Sequence, residues 1–252
     1  MKRKFLKYLP VGPLIVVVFT AAGCDGGPNM TTGDPKLVFS DDFSNLANWA
    51  PEGPHAVSIA SGQLYVKTVD DKRLNGQFIW CRQDVPESFR AEFDVTPLSD
   101  SGFFLVFFCQ AGTDGGDILG RNLLEGYMPA GAWQPYSDWD KYTSPVDRAG
   151  HHGSRIRGYH VSYRRNESAT CNLRKNPGLN LLKSSSVEAV LPKGQTARVA
   201  LVKSGGLIRL EINGLAFMEY TDEKPYSGGR IGLRNVYDSE CLYDNFRLYR
   251  LP

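Results

Sequence analysis

The chain has 252 residues, with 29 Lys and Arg against 27 Asp and Glu and a formal net charge of +2. That balance gives no footing for a nucleic-acid partner. Four of the basic residues, Lys2, Arg3, Lys4 and Lys7, fall within the first 23 positions, which hold no carboxylate; the rest of the chain has 25 basic against 27 acidic residues, a net of −2.

Those first positions read as a targeting segment. A basic n-region is followed by an apolar run, Val11 to Ala22, too short to span a bilayer. It ends in Thr20-Ala21-Ala22-Gly23-Cys24, which resembles a bacterial lipobox, although Ala stands where Leu is more usual. The resemblance implies a lipoprotein signal over 1–23 and a lipidated Cys24. Residues 24–35, rich in Gly, Thr and Asp, then form a flexible tether. The expected location is the bacterial cell envelope, lipid-anchored and extracytoplasmic, in the periplasm or at the cell surface. The membrane is reached through the anchor only.

Residues 36–252 read as one all-β domain. Strands are expected at Leu37–Phe39, Gln63–Val69, Gln77–Val85, Phe89–Thr96 and Gly102–Gln110. The last is apolar on both phases and belongs at the centre of a sheet covered on both faces. Five more follow in the C-terminal third: Ala197–Lys203, Leu207–Asn213, Ala216–Thr221, Arg230–Asn235 and Cys241–Tyr249. Gly205-Gly206 and Asn213-Gly214 supply hairpin turns. No segment holds a helical period. Many short strands with such turns mean a two-sheet antiparallel β-sandwich, or jelly roll. Cys81, Cys109, Cys171 and Cys241 have no metal-type spacing and stay open as two disulfides or buried free thiols.

Two segments carry the candidate chemistry. The hairpin Ile156 to Lys175 alternates so that Tyr159, Val161, Tyr163, Cys171 and Leu173 share an apolar face. His160, Ser162, Arg164, Asn172 and Arg174 share the other. That second face is either the floor of a polar, anionic ligand site or a solvated outer surface. The second segment, Thr113 to Arg155, is long, weak in strand signal and rich in aromatics, among them Tyr127, Trp133, Tyr136, Trp139 and Tyr142. A loop of that length is usually functional, and Tyr136–Tyr142 is expected to lie over the hairpin's polar face.

The closing sequence Gly229-Arg230-Ile231-Gly232-Leu233-Arg234-Asn235 with Leu242-Tyr243-Asp244-Asn245-Phe246-Arg247 resembles the concanavalin A-like lectin/glucanase superfamily. Asn75 to Cys81, Phe89 to Phe93, Ser137 to Tyr142 and Gly158 to Arg165 resemble the YesU-like domain-of-unknown-function family 1961, from about Leu37 to the C-terminus. The resemblance implies a two-sheet jelly roll met in bacterial saccharide utilisation, and it supplies no reaction.

Three functions remain open on the residues. The first is lyase-type elimination on an acidic polysaccharide or oligosaccharide, with His160 as base, Tyr142 as acid and Arg164 or Arg174 neutralising the substrate anion. Trp80, Arg82, Arg90, Glu92, Trp139, Asn172 and Arg174 would bind the chain. Arg90-Ala91-Glu92-Phe93 loosely resembles a strand of alginate-lyase-type enzymes. The second is a non-catalytic, lectin-like module, for which the same arginines suit carboxylate or sulfate. The third is a glycoside hydrolase using Glu92 and Asp94, two residues apart on one strand. No cofactor is expected. His151-His152 lacks partners at metal spacing, and Asp114, Asp117, Asp138 and Asp140 supply either a structural Ca²⁺ or Asx turns.

Overall fold

The computed structural model describes residues 34–53, 55–69, 76–119, 156–165, 170–186 and 191–252. Among these every regular element is a strand. The N-terminal half gives β1 (Lys36–Asp41), β2 (Trp49–Glu52), β3 (Ala56–Ala60), β4 (Gln63–Lys67), β5 (Gln77–Asp84), β6 (Phe89–Pro97) and β7 (Phe103–Gly112). The C-terminal half gives β8 (Ile156–Arg165), β9 (Thr170–Asn176), β10 (Asn180–Ser186), β11 (Ala197–Ser204), β12 (Leu207–Ile212), β13 (Leu215–Thr221), β14 (Arg230–Val236) and β15 (Glu240–Arg250).

They form two antiparallel sheets. The larger runs β13-β12-β11-β6-β15-β4-β3, with β1 also on β15; the smaller runs β10-β9-β8-β7-β14-β5-β2. The expected sandwich is therefore present. The strands that sequence patterning missed are β2, β3 and β10. The first is four residues long and contains Pro51, and among the described residues all three pair on one side only, so little alternation is forced on them.

Period-2 alternation builds the core. In β6, Phe89, Ala91, Phe93 and Val95 point inward while Arg90, Glu92, Asp94 and Thr96 point out. From the opposing sheet, Phe104, Val106 and Phe108 of β7 meet them, with Tyr159, Val161 and Tyr163 of β8. Trp49 sits edge-on to Phe246 at 5.0 Å. A polar thread crosses this core without leaving water-starved groups. Tyr163 and Tyr243 hydroxyls are 3.2 Å apart, Tyr243 donates to Asn235 Oδ1 at 2.8 Å, and Asn235 Nδ2 reaches Ser239 Oγ at 3.3 Å.

β7 lies mid-sheet between β8 and β14, and both its faces are buried, as its two apolar phases predict. Its second face, with Leu105 and Phe107, joins Phe78, Trp80, Ile118, Ile156 and Val236 in a separate apolar cluster on the outer side of the smaller sheet. That cluster is the floor of the site described next.

Candidate functional site

The outer face of the smaller sheet is assembled from alternate residues of five neighbouring strands. β5 contributes Phe78 and Trp80, β14 contributes Arg234, β7 contributes Phe107, β8 contributes His160, and β9 contributes Asn172 and Arg174. The rings form a continuous row. Phe78 stacks on Trp80 at 4.8 Å, Phe107 meets Phe78 edge-on at 5.0 Å, and His160 stacks on Phe107 at 4.7 Å. The Arg234 guanidinium lies 4.5 Å over Phe78 and 5.7 Å from Phe107, a cation held on aromatic faces. Gly232 makes room for this: a Cβ there would stand 2.4 Å from Trp80 Cε3, so only glycine lets the indole lie across β14.

His160 is directly opposite Arg174 in the β8–β9 ladder, so both side chains lie on this face. The imidazole is 6 % exposed and its Nδ1 has no hydrogen-bond partner among the described residues. Burial, then the charges of Arg234 and Arg174, push its pKa down to about 3. It is therefore neutral at physiological pH, between two permanent cations. Arg174 is fixed by donation from Nη1 to Leu179 O at 2.7 Å. Asn172 accepts from Ser184 Oγ at 2.7 Å, and its backbone N–H donates to Ser162 Oγ at 2.8 Å. The face is closed over β5, β14 and β7, where Trp80 is 1 % exposed, and opens over β9 and β10, where Asn172 and Arg174 are half-buried and Leu181 is 54 % exposed.

The grouping expected from sequence is only partly assembled. His160, Asn172, Arg174 and Trp80 share the face. Trp80 is no free stacking platform, being packed on Phe78 with Nε1 donating to Glu52 Oε2 at 2.9 Å. Arg82 keeps the phase of Trp80 but is solvent-exposed near the end of β5.

Arg164 does not join them. The β7–β8 register shifts between Phe104 and Leu105, so Arg164 pairs with core-facing Phe104 rather than continuing the His160 phase. Its guanidinium lies 5.0 Å from the Phe104 ring. It donates to the carbonyls of Ser101 and Ser99 at 2.8 Å and of Asp100 and Leu191 at 3.2 Å. Among the described residues it clamps two connections, away from His160 and Arg174.

Arg90 and Glu92 belong to the other sheet altogether. They sit on β6, in an ion-pair lattice on the outer side of the larger sheet. Arg90 bridges Glu92 at 3.2 Å and Glu211 at 2.7 Å. Arg198 holds Asp94 at 2.5 Å, and Arg198 and Arg247 approach Glu92 at 3.7 and 3.8 Å. Burial raises the Asp94 pKa, but hydrogen bonds from Arg198 and Asn245 outweigh it and leave the carboxyl below its usual range. A glycosidic general acid needs the opposite shift. Alternation does put these residues on the solvent side of β6; which sheet the strand joins is not encoded in phase. Tyr142, Trp139, the Tyr136–Tyr142 loop and Cys24 lie outside the described residues, as does everything before residue 34.

Residues 36–248 match the family described as domain of unknown function DUF1961. The chain belongs to that family. It is 26 % identical over 221 residues to the uncharacterized protein YesU of Bacillus subtilis (strain 168), covering 82 % of this chain and 91 % of YesU. Among solved structures, a Bacillus subtilis protein of unknown function with a galectin-like fold aligns with a TM-score of 0.66 and 23 % identity, over 85 % of this chain and 96 % of that one. The carbohydrate binding module CBM66 from Bacillus subtilis aligns with a TM-score of 0.52 and 12 % identity, over 81 % and 97 %.

In this DUF1961 member no group of three or more His, Cys, Asp or Glu is placed for a metal among the described residues. Asp114 and Asp117 accept from the backbone N–H of Gly116 and Leu119, as Asx turns do, and Asp117 is also held by Arg230 at 2.6 Å. Asp138 and Asp140 are not among the described residues. Cys81, Cys109, Cys171 and Cys241 are all unbridged and buried. Sequence reasoning missed Arg234 and Phe107 as members of the site. Both were legible as the alternate phase of strands whose other residues, Leu233 and Phe108, are core.

Proposed function

We propose that this protein is an extracytoplasmic saccharide-recognition lipoprotein whose ligand is an acidic glycan, bound on the outer face of the smaller sheet over His160, Arg174 and Arg234. The observation that carries this reading is the buried imidazole of His160, paired with Arg174 and stacked on the Phe107 ring that Arg234 also approaches, above an aromatic floor. Guanidinium groups recognise carboxylate and sulfate, and an anion brought between them gains from both charges. A carbohydrate binding module among the solved structures of this fold supports a saccharide as the ligand. Lipidation at Cys24 would tether the domain to the envelope; Cys24→Ser should leave an unprocessed, unlipidated precursor.

Binding is favoured over elimination. A histidine whose conjugate acid is as strong as that of His160 is a weak base for a sugar-ring proton. The deciding experiment is titration of the purified protein with uronate-containing and sulfated oligosaccharides, followed at the same time by ultraviolet absorbance and a reducing-end assay. The expected result is salt-sensitive binding, lost in His160→Ala and Arg174→Ala, with neither signal rising. A growing ultraviolet chromophore would establish elimination instead, and reducing ends without it hydrolysis. No affinity for any acidic glycan, or affinity indifferent to both substitutions, refutes the reading.

A further inference from the structure

Three polar side chains on this face are buried with hydrogen-bonding atoms unpaired among the described residues, and they stand side by side. Asn176 ends β9 with 0 % exposure, and neither its Oδ1 nor its Nδ2 has a partner among the described residues. It lies opposite Gly158 in the β8–β9 ladder, on the side shared by His160 and Arg174. Gln110 of β7 lies down on Gly158: a Cβ there would meet Gln110 Nε2 at 2.5 Å, so glycine is what admits the amide. Gln110 Nε2 donates to the carbonyls of Tyr159 at 2.7 Å and Phe108 at 3.2 Å, and its Oε1 has no partner among the described residues. His160, two residues along β8, adds its Nδ1, also without a partner among the described residues. Burying polar atoms unpaired costs stability, and their concentration on three adjacent strands of one face asks for an occupant.

Resting on the saccharide reading above, we propose that Arg174, His160 and Asn176 form a row that receives one uronate ring, the guanidinium holding the carboxylate at the open edge while Asn176, Gln110 and His160 read the ring hydroxyls. Successive residues on one strand face are about 7 Å apart, so Arg174 and Asn176 are separated by roughly the width of a single sugar ring. A hydroxyl both donates and accepts, which matches an amide with both atoms open beside a carbonyl oxygen and an imidazole nitrogen. Arg174 stands at the rim while Asn176, Gln110 and His160 are deep, so the acid remains near solvent while the hydroxyls are desolvated.

The test uses trisaccharides of polygalacturonate and of alginate, each as the free acid and as the methyl ester. Asn176→Leu should weaken binding of the acids about tenfold or more, the effect of losing a buried hydrogen-bonded pair. It should keep the preference for acid over ester and leave the melting temperature no lower, since the replaced amide has no partner among the described residues. Arg174→Gln should abolish the preference. Asn176→Ser, read by affinity alone, covers a leucine that fails to pack. If neither Asn176 variant changes an affinity that Arg174→Gln weakens, the row is wrong while the saccharide site stands. Structural water on the amide would lower the melting temperature of both Asn176 variants with affinity untouched, and this too overturns the row. If the wild type binds none of the four probes, the saccharide reading falls and the row with it.

Discussion

Replacing Arg164 by methionine separates a role in ligand contact from a role in the scaffold. The side chain is nearly buried and its guanidinium makes four contacts of 2.8–3.2 Å to the carbonyls of Ser99, Asp100, Ser101 and Leu191. Hydrogen bonds from a charged donor contribute about 1.5–3 kcal/mol each, but water can replace the donor at the half-exposed Ser99–Ser101 connection, so the net loss should be about 3–4 kcal/mol. Methionine keeps an apolar stem on Phe104 and loses a cation–π contact of about 0.5–1 kcal/mol, which that range includes. At roughly 2–4 °C per kcal/mol for a domain of this size, the melting temperature should fall by about 6–16 °C. Urea denaturation is the direct assay: the midpoint should drop with the slope unchanged. Arg164→Lys should recover less than half of the loss, because an ammonium cannot span carbonyls laid out for a planar fork. A midpoint shift worth under about 1 kcal/mol, accompanied by loss of saccharide binding, would refute the clamp and return Arg164 to the ligand site.

Three further outcomes follow from the same geometry. Gly232→Ala should destabilise by about 1–3 kcal/mol through overpacking and shift tryptophan emission, because its Cβ meets Trp80 at 2.4 Å; wild-type stability and emission would show that the indole does not press on β14. Burial pushes the Asp222 pKa up, but hydrogen bonds from Lys175 at 2.6 Å and Tyr159 at 2.5 Å win, and the carboxyl titrates below its usual range. The unfolded chain therefore takes up this proton first, so Asp222 contributes stability at neutral pH that is lost as pH falls through its lowered native value. Asp222→Asn should be less stable than wild type at neutral pH and lose less on acidification, measured by urea midpoints at both ends; parallel losses would contradict this. Burial pushes the thiols of Cys81, Cys109 and Cys241 up to about 12, so a Cys24→Ser chain should resist a water-soluble disulfide reagent when native and release four thiols on unfolding without reductant. Rapid labelling of the native protein, or fewer than four thiols released, would disprove it.

What the chain's own pattern determined is the side of each strand that is buried. Alternation is a local property, because successive Cβ atoms point to opposite faces, and it placed Phe89, Phe93, Tyr159, Val161 and Leu173 in the core and His160, Asn172 and Arg174 off it. The apolar doubling of β7 likewise foretold a central strand, since only burial on both sides tolerates it. What the sequence left open is which strands become neighbours, because pairing is decided between segments far apart in the chain. Phase alone put Arg90 and Glu92 with His160, whereas β6 pairs with β11 and β15 in one sheet and β8 with β7 and β9 in the other. A single register shift against β7 likewise turned Arg164 out of its phase into the sandwich edge, since the extra residue of a bulge reverses every side chain beyond it. The cation pair around His160 exists only because β14 and β9 each lie within two strands of β8, so Arg234 and Arg174 converge on one imidazole from positions 60 residues apart in the chain.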